Sequence, residues 1–329
     1  MKKNRRRLLL VLDVVLVIAL IAGIAVFQRR SDSPERSPER SPERSLVRSP
    51  GPSLVHDGTE YPLKPGLRSV LLIGTDSAPE GGRERAELLA VLIFDERGKT
   101  LTPLLISPDA VSPAAEAGRE EAEDARLAQV YALGSDKKAS CADTREAMEK
   151  LLYGAPIDSY LALDMAAIPL VTNLAGGVTV ELEEDLSALD PTYRTGERVT
   201  LTAEAALAFV RYRADAPFSD GYGRLARHRL YLEAWLGKMA QRQRGLSLFD
   251  SQVRDAIAKD PVLSKEGVKA AANYVTTDLS AGELTGLLDK LCTYSLQPIY
   301  CPAGEYTQSG AYLLSDNSLW GSVRDSYCP

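Results

Sequence analysis

The stretch R-S-V-L-L-I-G-T-D-S-A-P-E-G-G-R-E-R-A-E-L-L-A-V-L-I-F-D-E-R-G-K-T-L-T-P-L-L-I-S-P-D, residues 68–109, sets the fold class. Residues 68–74, 88–94 and 101–106 are short runs rich in Val, Leu and Ile. A short run that is apolar without alternation fits a strand covered on both faces. The turn D-E-R-G-K at 95–99 closes a hairpin between the second and third runs, so the sheet is mixed and not purely parallel. The first run ends in Gly74 and delivers a polar loop with Thr75, Asp76 and Ser77. The third ends in Ser107, Pro108 and Asp109. Asp76, Glu87 and Asp109 therefore stand at edges of core strands. Carboxylates there can converge on a metal or a proton, or serve as ordinary turn caps.

Downstream, helical and strand-like patterns alternate. Residues 143–153 and 166–174 read as helices, the second stopped by Gly176–Gly177; 158–164 and 178–182 read as strands. Residues 113–126 are Ala/Glu-rich and read as a solvated helix. Thr202 is placed to cap a helix that ends at Arg211. A long helix over 223–242 carries Leu225, Leu232, Leu236 and Met239 on one stripe. Residues 249–259, 265–274 and 281–291 read as further helices, and the tail from Gln297 as short strands and turns. The pattern predicts an α/β fold, a mixed central sheet with helices on both faces.

Composition adds a charge asymmetry. The chain has 329 residues and a formal net charge of −6, but residues 1–50 hold 11 Lys/Arg against 5 Asp/Glu, leaving 28 against 40 for the rest. An acidic body argues against nucleic-acid binding, which needs a basic footprint. Residues 1–7 are a basic tail expected in the cytoplasm. Residues 8–27 are apolar except for Asp13, long enough for one transmembrane helix. The C-terminal remainder is then extracellular. Residues 28–54, with S-P-E-R three times over, read as a disordered stalk, since proline at every fourth position blocks a helix. Residues 55–250 form the expected main domain, and 251–329 are C-terminal helices and a Cys-containing tail packed on the same body.

Against the acidic background, A-A-L-A-F-V-R-Y-R at 205–213 and G-R-L-A-R-H at 223–228 stand out. Arg211, Arg213, Arg224 and Arg227 lie within about one loop of each other. Arg224 and His228 are one helical turn apart and can reach the same ligand. Clustered guanidinium groups suit phosphate or carboxylate oxygens. Of the four cysteines, Cys141, Cys292, Cys301 and Cys328, three fall in the last forty residues, where a disulfide is expected outside the cell. With two histidines and no C-x-x-C there is no zinc pattern, no trustworthy Ser-His-Asp set, and no Gly-Lys-Ser phosphate loop.

V-L-L-I-G-T-D-S at 70–77, N-L-A-G-G-V-T-V at 173–180, E-A-A-L-A-F-V-R-Y-R at 204–213 and G-R-L-A-R-H at 223–228 together resemble the LytR–CpsA–Psr family of cell-wall enzymes. The likeness covers roughly residues 66–245. It implies an αβα body and a phosphotransferase, which moves a glycopolymer from a polyprenyl pyrophosphate carrier to a peptidoglycan hydroxyl. The resemblance implies catalytic roles for Arg211, Arg213 and Asp76, and substrate binding by Arg211, Arg213 and Arg224; Arg227 and His228 join the expected substrate-binding set as neighbours of Arg224 on the same helix. It implies Mg²⁺ or a similar divalent cation on Asp76 and Glu87. This chain departs from the pattern at three places: Glu87 for aspartate, His228 for glutamine, and Pro108 for the arginine of S-x-P-R-D. Arg83 and Arg85 are the candidates to replace that arginine. The Pro108 departure keeps a second reading open, a binding protein for polyprenyl phosphate or cell wall that has lost catalysis. A transcriptional regulator is disfavoured, because about seven cytoplasmic residues are too few for a DNA-reading helix.

Overall fold

The computed structural model describes residues 52–76, 83–111, 126–213, 220–241 and 274–329. It begins with strands β1 (Ser53–His56), β2 (Thr59–Pro62), β3 (Leu67–Asp76), β4 (Arg85–Asp95) and β5 (Thr100–Ile106). Helices α1 (Leu127–Leu133) and α2 (Lys137–Leu151), strand β6 (Ser159–Asp164) and helix α3 (Ile168–Leu174) follow. Next come β7 (Val178–Glu181), β8 (Arg198–Leu201), α4 (Ala203–Arg211) and α5 (Asp220–Gln241). The last part holds β9 (Val275–Thr277), α6 (Ala281–Thr293), β10 (Ser295–Leu296), β11 (Gly304–Tyr306), β12 (Tyr312–Leu314) and α7 (Asp316–Tyr327). The expected tail at 1–7, span at 8–27, most of the stalk, and nearly all of the helices at 113–126, 249–259 and 265–274 lie outside the described residues. Among the described residues no helix is long and apolar enough to cross a membrane.

Six strands form the central sheet in the order β10-β5-β4-β3-β6-β9. β3 with β4 and β4 with β5 are antiparallel, while β3 with β6 and β5 with β10 are parallel. The sheet is mixed, as the turn at 95–99 implies. That turn is tight because the Asp95 carboxylate accepts the backbone N–H groups of Arg97 and Gly98, each at 2.8 Å, and Lys99 adopts φ 53°.

The continuous apolar runs are explained by cover on both sides. Leu71, Ile73, Leu89, Val91, Ile93, Leu104 and Ile106 face a core shared with Leu127, Met148, Trp320 and Val323 of α1, α2 and α7. Val70, Ala90, Leu92, Phe94, Leu101 and Leu105 face Leu225, Leu232 and Leu236 of α5 and Leu284, Leu287 and Leu291 of α6. A third cluster packs the β7–β8 hairpin against α4 and Tyr231. α3 stops at the expected glycines: Gly176 and Gly177 take φ 69° and 84°, and the Gly177 N–H returns to Thr172 O at 3.0 Å.

Two expectations are corrected. The tail is not only strands and turns: residues 316–327 are helix α7. Its buried Leu319, Trp320, Val323 and Tyr327 recur at helical spacing. β9 and β10, from the C-terminal segment, are the two edges of the central sheet. No disulfide forms: all four cysteines are free, and Cys141 is buried in the core beside Tyr131, where burial pushes its thiol up to about 12.

Candidate active site

The site lies at one end of the central sheet, and the strand directions put it there. β3 ends where β4 begins, and β5 ends beside both. Asp76 is the last residue of β3. Glu87 is the extra residue of a β-bulge in β4: Gly74 pairs with Leu88 and Thr75 with Ala86, so Glu87 has no partner in the register. Gly74 is needed there, because a Cβ on it would sit 3.0 Å from Leu88 Cβ. Asp109 follows β5. Three carboxylates thus gather at one sheet end, as the edges of the apolar runs predict.

The arginines come from the facing helices. Arg211 closes α4, Arg213 follows it, and Arg224 lies in the first turns of α5. Arg211 Nη2 donates to Asp76 Oδ1. Glu87 Oε2 accepts from Arg213 Nη2 at 2.9 Å and from Arg224 Nη1 at 2.6 Å. The other end of the Arg224 fork, Nη2, donates to Asp109 Oδ2. The two ends of the Arg224 fork thereby bridge β4 and the segment that follows β5. Burial works against its charge, but Asp109 and Glu87 outweigh that and raise its pKa above the usual guanidinium value. Exposure grades outward, from 8 % for the Arg224 side chain to 38 % for Arg211 and 56 % for Arg213. The outer two arginines are the ones that solvent-borne anions meet first.

Arg227 and His228 stand behind this network. Arg227, 1 % exposed, donates to Glu184 Oε1 at 2.6 Å and to Tyr212 O at 2.7 Å, with its guanidinium over the Tyr212 ring. Gly223 makes room for the pair, since a Cβ there would lie 3.0 Å from Arg227 Nη1. His228 is also 1 % exposed, with Nε2 3.0 Å from Val210 O. Burial first, then the charges of Arg224, Arg227 and Arg213, push its pKa down to about 3. The ring is therefore neutral, and Nε2 facing a carbonyl carries the proton. These two side chains hold the carbonyls of residues 210 and 212. The intervening and following residues, 211 and 213, project their guanidinium groups toward Asp76 and Glu87.

Around Pro108, Asp109 meets a second guanidinium besides Arg224, that of Arg126, a residue not singled out from the sequence. Its Nη1 is 3.9 Å from Asp109 Oδ1 and 3.4 Å from Gly310 O. Backbone bonds from Leu127 and Ala128 to the carbonyls of Ala110 and Pro108 bring it there. Arg83 instead donates to Ala132 O at 2.9 Å, and Arg85 is exposed opposite Asp76 in the ladder. Tyr306 was missed too; its hydroxyl is 3.4 Å from Asp109 Oδ2. Neither had a signal in sequence spacing: Tyr306 reaches Asp109 from 197 residues away, and Arg126 is brought there by backbone pairing and not by a shared helix face. Among the described residues no three His, Cys, Asp or Glu side chains are grouped to hold a metal ion.

Residues 57–300 match the LytR_cpsA_psr family model. The chain belongs to that family. Among curated members it is 26% identical over 172 residues to the polyisoprenyl-teichoic acid–peptidoglycan teichoic acid transferase TagU of Bacillus mycoides, covering 52% of each chain. It is 29% identical over 180 residues to TagV of Bacillus subtilis, a transferase of the same name, covering 52% of this chain and 44% of that one. The chain thus spans about half the length of the curated relatives it matches. A solved LytR-CPS2A-psr family protein, YwtF (TagT) with bound octaprenyl pyrophosphate lipid, superposes with a TM-score of 0.53 at 21% identity. That alignment covers 86% of this chain and 97% of the other, and it shows the shared fold. The LytR_cpsA_psr match takes in Asp76, Glu87, Asp109, Arg126, Arg211, Arg213 and Arg224, and stops before Tyr306.

Proposed function

We propose that this chain is a membrane-anchored phosphotransferase acting outside the cell, moving a glycopolymer from a polyprenyl pyrophosphate carrier to a hydroxyl of peptidoglycan. The observation that supports it most is the interleaved network of Asp76, Glu87 and Asp109 with Arg211, Arg213 and Arg224. A pyrophosphate needs several guanidinium donors at once, and here they are already gathered by anionic partners of matching geometry. Each guanidinium has five N–H donors. Phosphate oxygens can take donors the carboxylates do not use, or replace the carboxylates like for like. The names of the curated relatives point the same way.

In this reading the acceptor oxygen attacks the glycan-bearing phosphorus. The bond from that phosphorus to the bridging oxygen breaks, and polyprenyl phosphate leaves with the bond's electron pair. Arg211, Arg213 and Arg224 neutralise charge that grows on the phosphate oxygens. Arg126 adds a fourth guanidinium beside Asp109. Asp76, released as Arg211 turns to phosphate, takes the acceptor proton. Asp76 and Glu87 offer the hard oxygen donors that Mg²⁺ takes together with phosphate and water oxygens, and these two would hold it. Such an ion would supply charge neutralisation at the phosphates. Arg227 and His228 act on substrate through the α4 terminus they hold.

The test is transfer of labelled carrier-linked glycan to peptidoglycan by the full-length protein. Arg211→Ala and Asp76→Ala should each lower the rate by about 10²–10³-fold, the usual cost of losing one charge-stabilising group. Equal transfer by all three proteins refutes the assignment. Co-purified lipid without turnover, with activity gained on Pro108→Arg, would establish the binding-protein reading instead.

A further inference from the structure

The β11–β12 hairpin begins at Gly304, past the end of the family match, yet it reaches the centre of the network. Tyr306 closes β11. Its hydroxyl donates to Asp109 Oδ2, the oxygen that also takes Arg224 Nη2, and lies 3.1 Å from Ser107 Oγ, which can donate to it. The Tyr306 ring is fixed from several sides. Tyr222 packs edge-on with centroids 4.8 Å apart, and Tyr312 lies at 4.7 Å. Gly221 leaves the remaining space, since a Cβ there would run into the Tyr306 ring. The Tyr222 hydroxyl accepts from the Tyr306 N–H at 3.3 Å and donates to Gly304 O at 3.2 Å. The hairpin backbone grips the same segment: Tyr312 N–H donates to Asp109 O at 2.7 Å, and Val111 N–H to Tyr312 O at 3.3 Å. Burial raises the phenol pKa, so the hydroxyl remains a donor at neutral pH.

We propose that Tyr306 is a positioning residue, which holds the Asp109 carboxylate so that Arg224 can turn from it to a phosphate. The proposal rests on the phosphotransferase reading above. When Arg224 engages an anion, Asp109 Oδ2 loses a guanidinium. At 16 % exposure a bare carboxylate oxygen resists that loss, because water reaches it poorly. The Tyr306 hydroxyl stays on the oxygen and eases the exchange. Without it, Asp109 competes harder for Arg224.

Calorimetric titration with inorganic pyrophosphate tests this on the full-length protein in detergent. Tyr306→Phe keeps the ring and removes only the hydroxyl. It should weaken affinity about tenfold, as losing one hydrogen bond to a charged group does. In an Asp109→Asn background the same change should cost about twofold or less, since the group it positions has lost its charge. Undiminished affinity in Tyr306→Phe, with Arg213→Ala weakened, overturns the proposal and leaves the phosphotransferase reading standing. An equal loss in both backgrounds also overturns it, because the hydroxyl would then act without Asp109. Failure of the wild type to bind pyrophosphate removes both.

Discussion

Replacing His228 by glutamine should flatten the acid sensitivity of this fold. His228 is fully buried and neutral, with a pKa near 3 against 6.5 for a free imidazole. The unfolded chain therefore binds an extra proton throughout that window. The stability owed to the neutral ring is complete above pH 6.5 and is lost as pH falls toward 3. The slope is about 1.4 kcal/mol per pH unit, so a drop from about pH 7.5 to about pH 5.5 should cost roughly 1.4 kcal/mol. For a domain of this size that lowers the melting temperature by about 3–5 °C. A glutamine amide can make the same bond to Val210 O and cannot titrate. Thermal melts of wild type and His228→Gln across the range measure the difference, which cancels the acid response of carboxylates common to both. Parallel curves would refute the reasoning, and with it the placement of the ring as a neutral donor on α4.

Arg213→Ala removes an exposed guanidinium; transfer activity should fall by about 10²-fold while urea unfolding moves by less than about 0.5 kcal/mol. Glu184→Ala breaks the ion pair under α5 and should destabilise by on the order of 3 kcal/mol, read from a denaturant midpoint with unchanged slope. Ser280→Ala removes the capping box in which Ser280 and Glu283 satisfy each other's backbone N–H, costing about 1 kcal/mol in the same assay.

Much of this molecule is legible in its sequence, and the limits have physical causes. The runs at 68–74, 88–94 and 101–106 name three of the four inner strands because strands buried on both faces have no polar side. The turn at 95–99 fixes their direction. The three carboxylates at strand edges converge because antiparallel neighbours put alternate ends together; what they meet, four guanidinium groups, follows only in part from spacing. Arg224, Arg227 and His228 share a helix face, yet their partners differ. Arg224 meets Glu87 and Asp109, Arg227 meets Glu184, and His228 meets Val210. Those partners lie from 18 residues away, for Val210, to 137, for Glu87. Helix α7 was within reach: Ser315 stands at its start, and Leu319, Trp320, Val323 and Tyr327 follow at steps near 3.6. Tyr306 was not, since no local pattern marks a side chain whose role depends on a neighbour 197 residues away, and Arg126 meets Asp109 only through the packing of α1 beside the segment after β5.

The β9–α6–β10 segment flanks the sheet like a clasp thrown over both sides, with α6 lying across one face between them. During synthesis, β3, β4, β5 and β6 are made long before residues 275–296. Until those emerge, β5 and β6 each present an open row of N–H and C=O groups. Such rows invite pairing with other chains. A nascent or truncated copy ending near residue 270 should thus be prone to stick to its neighbours, and the late segment serves as the fold's own guard against aggregation.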